Sequence, residues 1–331
     1  MDLDWRQRRT ITVLSTILSI LVVAVLVVGG YRYRQHRQAQ AETLAEGVNT
    51  VVSTQYTYTA ITYSNKTAKL SFAVDEETDR WYWADDPDFP LDDTVITEIC
   101  TMLTALKPQQ TLTAEEPLEN YSLDVPFASL SASSGSGEAL TIAFGKTTTD
   151  GTSYYTLING DETTLYIIDG AIYEKMEVPI YDMMVLPVLP ALTAENLQSI
   201  TISGEMITDL SAQRPESGEA ATWRSNGANV TDIPVTSSIL EELETLTLVK
   251  CVDYKPTDEA VSLCGFDTPV TVEVTYLTEG GSELSADFSL GSKTLDESGY
   301  YFRMDGDTSI YQVAADSMDT LLSVAASGLE G

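Results

Sequence analysis

Apolar and polar positions along this chain alternate with two different periods, and the switch between them occurs twice in the same order. QYTYTAITYS, AKLSFAV and RWYWA, which lie between Gln55 and Ala84, set hydroxyl or charged residues between aromatic and aliphatic ones at every second position. That alternation predicts antiparallel strands with one buried face. Between Asp92 and Lys107 the period lengthens to about 3.6 residues, the repeat of an amphipathic helix. Val95, Ile99, Met102 and Leu106 then fall along one face. Short periods return in FASLSAS and EALTIAFG around an SGSG turn. They appear again in YYTLI and TLYII around Asn159-Gly160, a dipeptide favoured in type I′ hairpins.

The second half repeats this order. ITYS, Trp81, DTVITEICTMLTALK, YSLDVP, LTIAFG and YYTLINGDETTLYII are followed by ITIS, Trp223, TSSILEELETLTLVK, CGFDTP, DFSLG and YYFRMDGDTSIYQV. The offset drifts only from 139 (Ile61 to Ile200) to 146 (Tyr155 to Tyr301). Six ordered matches predict two copies of one domain of about 140 residues. Ile239, Leu243 and Leu246 repeat the helical stripe, with Ser238 and Glu241 spaced as a capping box. Asp305-Gly306 repeats the type I′ signal. A last helix is expected from about Asp316 to Ala326. Because catalysis needs an asymmetric site, what both copies share reads as fold, and what they do not share reads as function.

The expected architecture is α+β: an N-terminal transmembrane helix, then two tandem homologous domains, each a mainly antiparallel sheet with one amphipathic helix packed on it. The run from Ile11 to Val28 carries no charge and extends to 21 residues with Gly29, Gly30 and Tyr31. At about 1.5 Å per residue it spans a bilayer core of about 30 Å. The expected organisation is a cytoplasmic leader at residues 1–10, the span at 11–31 and a stalk at 32–54. The first repeat domain follows at 55–178, a Pro-punctuated linker at 179–195 and the second domain at 196–327. Arg6, Arg8 and Arg9 nearly balance Arg32, Arg34 and Arg37 across the span. The short leader favours a cytoplasmic N-terminus, with the C-terminal domains outside.

Charge narrows the range of partners. Six of the 18 basic residues precede residue 38, leaving 12 against 48 acidic side chains in the remainder. Such a surface repels nucleic acid, which is bound through Lys and Arg clusters. The one histidine, His36, sits in the stalk, so no histidine base, His-ligated zinc or Ser-His-Asp device is available to the domains. Gly145, Lys146 and Thr147 mimic the end of a phosphate loop. Leu140 stands where that motif needs its first glycine, and no helical pattern follows, so no nucleotide is expected. Cys100, Cys251 and Cys264 have no metal-ligand spacing. Asp124 and Asp267 each precede a proline by two residues and read as structural corner residues. No catalytic, cofactor-binding or metal-ligating residue is assigned. Attention falls on what the halves do not share: the acidic loop from Asp85 to Asp93, the hairpin near Gly135, and Cys251 with Cys264.

The anchor, the Trp-containing strand, the helix, the corner at Gly265, Phe266 and Asp267, the strand ending in Gly and the YY hairpin together resemble the bacterial domain-of-unknown-function family numbered 4340. The likeness runs from about residue 56 to residue 314. Ser122 replaces the glycine of the corner in the first copy, so the backbone there is not required to follow the family's usual turn. The resemblance implies a bacterial cell envelope and a role accessory to ABC-type transporter subunits, with no catalytic residues to transfer. The expected function is therefore a non-catalytic, extracytoplasmic binding or interaction module. Its partners would be the bilayer, through residues 11–31, and transporter subunits. The alternatives are a carboxylate hydrolase of envelope glycan or peptide, and a structural spacer or adhesin.

Overall fold

The computed structural model describes residues 57–137, 139–205 and 209–327. The described residues form two compact units, 57–79 with 95–177 and 80–94 with 178–327. Strands β1 (Tyr58–Ser64), β2 (Lys69–Val74), β3 (Trp81–Trp83), β4 (Gln110–Thr113), β5 (Ala128–Ser134), β6 (Ala139–Thr147), β7 (Ser153–Ile158) and β8 (Thr164–Asp169) build the first sheet. Its order is β3-β2-β1-β5-β6-β7-β8-β4, and its registered pairs are antiparallel.

The second sheet has β9 (Leu197–Ser203), β10 (Leu210–Gln213), β11 (Thr222–Ser225), β12 (Ala228–Asn229), β13 (Leu248–Asp253), β14 (Val270–Leu277), β15 (Glu283–Ser285), β16 (Phe288–Lys293), β17 (Gly299–Met304) and β18 (Ile310–Ala314). Its order is β12-β11-β10-β9-β14-β16-β17-β18-β13, with β15 paired to β14. Apart from β12 and β15, strands of the same rank occupy the same places in the two sheets.

Two parts of the α+β expectation are corrected. Among the described residues no helix is long and apolar enough to cross a membrane. The span expected at residues 11–31, with the leader at 1–10 and the stalk at 32–54, lies outside the described residues. The chain is also mostly antiparallel sheet with a few short helices, and it does not have a single packed helix per domain. The first unit has α1 (Thr94–Thr104) and α2 (Ala171–Met176), and the second has α3 (Val235–Thr245), α4 (Asp258–Leu263) and α5 (Asp319–Ser327). Apolar residues recur mainly at every second position, and only α1 and α3 hold the helical period for 11 residues.

The face of α1 is rotated from the expected stripe, while Ile239 and Leu243 of α3 and Leu246 just after it are buried as expected. Ile96, Ile99 and Leu103 of α1 are fully buried, while Val95 and Met102 are half-buried. Helix α3 starts at Val235, so Ser238 and Glu241 lie inside it and do not form a capping box. Its Glu242 carboxylate instead accepts the N–H groups of Thr320 and Leu321 at 2.8 and 2.9 Å, capping the start of α5.

Strand alternation sets the core. Along β5 and β6, Ala128, Leu130, Ala132, Leu140, Ile142 and Phe144 point inward, and burying a large apolar side chain contributes about 1.5–3 kcal/mol. Gly145 and Gly291 sit at register shifts after Phe144 and Leu290. There the corner carbonyl passes so close that a Cβ would lie 2.2 Å from the oxygen of Tyr121, or 2.1 Å from that of Cys264. This close approach explains why both strands reach glycine at that point. Ser122, at the glycine position of the first corner, is left-handed at φ 55°, and Gly265 is left-handed at φ 84°. The serine therefore adopts the handedness of a glycine turn at a cost of about 1–2 kcal/mol.

Candidate functional site

The two sheets differ most where β6 and β16 leave their neighbours. In the first sheet, β5 and β6 pair without interruption from Ala128↔Phe144 to Ser133↔Ala139. In the second, β14 pairs with β16 through Val272↔Phe288 and then with β15 from Thr275↔Ser285, leaving Ala286 and Asp287 between the two ladders. Asp287 closes the gap with its side chain: Oδ1 accepts the Val274 N–H at 2.9 Å, while the Ala286 N–H donates to the Val274 carbonyl at 3.0 Å. The Asp305 N–H then donates to the Asp287 carbonyl at 2.9 Å, as the Asn159 N–H does to Thr141 in the first sheet.

These bonds fix which positions are equivalent. One cross-strand row of the first sheet reads Ser129, Ala143, Leu157, and the corresponding row of the second reads Thr271, Ser289, Arg303. In the first unit, Leu157 packs with Leu123 and Leu165 in a buried cluster, flanked by Leu112, Leu118 and Tyr155. In the second unit, Phe266 stands at the corner where the first has Leu123, and the Arg303 guanidinium lies 5.6 Å from the centre of its ring. That is a cation–π contact. The Arg303 Nε is buried and has no hydrogen-bond acceptor, and no described carboxylate forms an ion pair with the guanidinium.

Around Arg303 a pocket of about 430 Å³ opens, lined also by Glu273, Asp287, Ser289, Asp305 and Asp307. That size suits a small ligand. It sets four carboxylates against one guanidinium. Burial pushes the Asp307 carboxyl up. The Ser309 N–H at 2.8 Å, the Tyr311 hydroxyl at 2.7 Å and the Arg303 charge outweigh burial and hold it below the ordinary range, so Asp307 is a fixed anion. A second cavity of about 300 Å³ shares Asp287, Phe288, Met304 and Asp305, and Leu192, Leu243, Leu246 and Tyr276 make its wall largely apolar.

The places singled out from sequence are filled by local structure. In the acidic loop, Asp86 forms an ion pair with Lys255, and the Asp88 carbonyl accepts from the Tyr254 hydroxyl at 3.2 Å. Asp92 accepts the N–H and hydroxyl of Thr94 at the start of α1, and these bonds lower its pKa. Phe89 is buried there, edge-on to Trp83 and Tyr254. Among the described residues no group of His, Cys, Asp or Glu is placed to hold a metal ion. The hairpin near Gly135 turns through Gly137 at φ 85°, with the Ser134 and Ser136 hydroxyls 2.8 Å apart. Cys251 and Cys264 are free thiols; burial pushes Cys251 up to about 12 and raises Cys264.

Of the remaining candidates, all but Asp124 make local structural contacts. Lys146 of the phosphate-loop mimic lies over the Tyr121 and Tyr155 rings, and Lys293 lies over Tyr300. Asp267 accepts the Ser262 hydroxyl, while Asp124 is exposed. Asn159 and Gly160 are both left-handed, as a type I′ turn requires, but in the second hairpin only Gly306 is, so that turn is not type I′. Sequence reasoning missed Arg303. The available signal was a charge at the fourth position of YYFRM where YYTLI has leucine.

A family model, domain of unknown function DUF4340, matches residues 81–269. The match is narrower than the likeness read from the motifs, and it ends before Glu273, Asp287, Arg303, Asp305 and Asp307. No curated protein and no solved structure matches the chain.

Proposed function

Because this chain belongs to the DUF4340 family, whose description assigns no activity, we propose its function from the site itself: it is a non-catalytic binding module in which the second unit receives the ligand. The observation that carries this reading is the replacement of Leu157, sealed in an apolar cluster, by Arg303, whose buried Nε–H has no acceptor. Arg303 is half-buried, and a buried donor left without an acceptor costs stability. A residue held in that state at the wall of a pocket fits recognition better than packing. The two units, on this reading, are copies of one domain, the first kept closed as a scaffold.

The same proposal places the module outside the cytoplasm, held at a bilayer through residues 11–31 and working with the subunits of an ABC-type transporter. The surplus of acidic side chains suits a solvated exterior and repels anionic headgroups. Recovery of transporter subunits with the full chain, after crosslinking and purification in mild detergent, supports that partnership; their consistent absence overturns it.

The site itself is tested by Arg303→Leu, which installs the residue of the first unit. The expected outcome is a gain of about 1 kcal/mol in unfolding free energy, since binding residues often sit at the expense of stability. A loss of 2 kcal/mol or more, on the order of that for breaking a structural network, makes Arg303 a packing residue and removes the site.

A further inference from the structure

We infer that the cavity on the inward face of the second sheet binds a small amphipathic amine, an apolar chain of about six carbons ending in an ammonium group. The site lies across the strands from Arg303 and does not depend on the reading given to that residue. The bonds that align the two units place Ala286 opposite Val274 where the first unit has Leu140 opposite Ala132. Met304, paired with Phe288, stands where the first has Ile158 paired with Ile142. Leu140 and Ile158 are both buried and close that end of the first core. Ala286 and Met304 are only half-buried, and a cavity of about 300 Å³ is left beside them. The tyrosine of this end also changes strand, from Tyr58 facing Ser134 to Tyr276 facing Leu197. Tyr58 is buried, whereas Tyr276 stands half-buried in the cavity wall.

An apolar cavity left open in a core costs stability and is suited to an apolar ligand. Leu192, Leu243, Leu246 and Phe288, all buried, supply that surface. Its charge comes from Asp287 and Asp305 alone, for no Lys or Arg lines the cavity. An anionic amphiphile is therefore repelled, and a positive head group meets opposite charge. The Val274 N–H holds Asp287 Oδ1 at 2.9 Å, which fixes the carboxylate and leaves Oδ2 to the ammonium.

The test is calorimetric titration at neutral pH of the full-length protein, held in phosphatidylcholine nanodiscs and corrected for empty discs, with butylamine, hexylamine, hexanol and hexanoate. Hexylamine binds saturably, about fifteenfold tighter than butylamine, because each buried methylene contributes about fourfold. Hexanol binds about tenfold more weakly than hexylamine, the scale of a charge-assisted hydrogen bond, and hexanoate does not bind. Ala286→Leu, which installs the residue of the first unit, abolishes hexylamine binding while the protein still unfolds cooperatively on heating. Asp287→Asn with Asp305→Asn, which keeps the Oδ1 acceptor, makes hexylamine and hexanol bind equally. The inference is overturned by no saturable binding of hexylamine, by equal binding of hexanoate, or by binding that survives Ala286→Leu. If Ala286→Leu fails to fold, the double aspartate variant decides, and a preference for amine over alcohol that persists in it overturns the inference. Arg303→Leu leaves hexylamine binding unchanged; its loss there places the ligand in the other pocket and overturns the assignment to this cavity.

Discussion

At equivalent rows of two sheets with the same strand order, one unit places Leu157 against Leu123 and Leu165, and the other places Arg303 over Phe266 beside a pocket. The ladders beneath differ in the same way. The first runs unbroken past Thr141, whereas the second breaks at Asp287, whose carboxylate substitutes for a strand partner. The scaffold, then, does not require an apolar seal at this row. The sheet is held by its inward face, where Ile142 and Phe144 in one unit and Phe288 and Leu290 in the other are all buried. The outward row is free to carry chemistry.

Exchanging the residues puts the contrast between the rows under the greatest strain. Leu157→Arg forces a charge into a cluster with no partner for it and is expected to cost about 3–5 kcal/mol, whereas Arg303→Leu gains stability. Urea unfolding of the two variants measures both, and losses of similar size show that the rows are equally structural.

Next come the glycines that the two units share. Gly145→Ala and Gly291→Ala each drive a Cβ against a backbone oxygen, at 2.2 and 2.1 Å. Overpacking of this kind costs about 1–3 kcal/mol. Thermal unfolding is expected to show near-equal losses, since the corner is common to both units. A loss confined to one variant breaks the equivalence.

A smaller effect separates the two left-handed corners. Ser122→Gly relieves a serine at φ 55° and is expected to stabilise by about 0.5–1 kcal/mol. Gly265→Ala acts in the opposite direction, because its Cβ would lie 2.6 Å from the Ser292 nitrogen. Chemical denaturation of the pair decides, and stabilisation by both variants contradicts the geometry.

The last and weakest effect concerns pH. The Asp296 carboxyl is held at about 2 by hydrogen bonds from the Thr294 and Ser298 hydroxyls and the Ser298 N–H. Asp150, its counterpart, is lowered chiefly by the Thr148 hydroxyl. A depressed carboxylate contributes stability above its unfolded pKa and loses it as pH falls toward the folded value. The contribution of Asp296 is therefore present above about pH 4 and lost on the way to about pH 2. Asp296→Asn is expected to flatten that part of the acid limb in urea midpoints taken from pH 5 downward. An unchanged limb shows that the loop carries no such linkage.

Several of these features are legible in the order of residues alone. Strands with one buried face and the Asn159-Gly160 turn follow from side chains acting within a few residues of themselves. The buried face of α3 is legible as Ile239, Leu243 and Leu246, whereas that of α1 is legible only to within one position. Ile96 and Leu103 displace Val95 and Met102 because the sheet surface, and not the helix alone, selects the buried face. The pocket is not legible, because Arg303, Glu273 and Asp287 are separated by up to thirty positions and meet only across paired strands. Counting carboxylates in so acidic a chain could not single out these four.

Family and local elements thus come from the sequence, since both depend on order and period along the chain. Tertiary structure decided that short helices are subordinate to two large antiparallel sheets, and that Ser122 keeps a glycine-like turn. It also decided that the Arg303 guanidinium lines a cavity in one unit where leucine closes the other. Those outcomes depend on which residues stand opposite each other across a ladder, and register is set by the whole sheet rather than by any one strand.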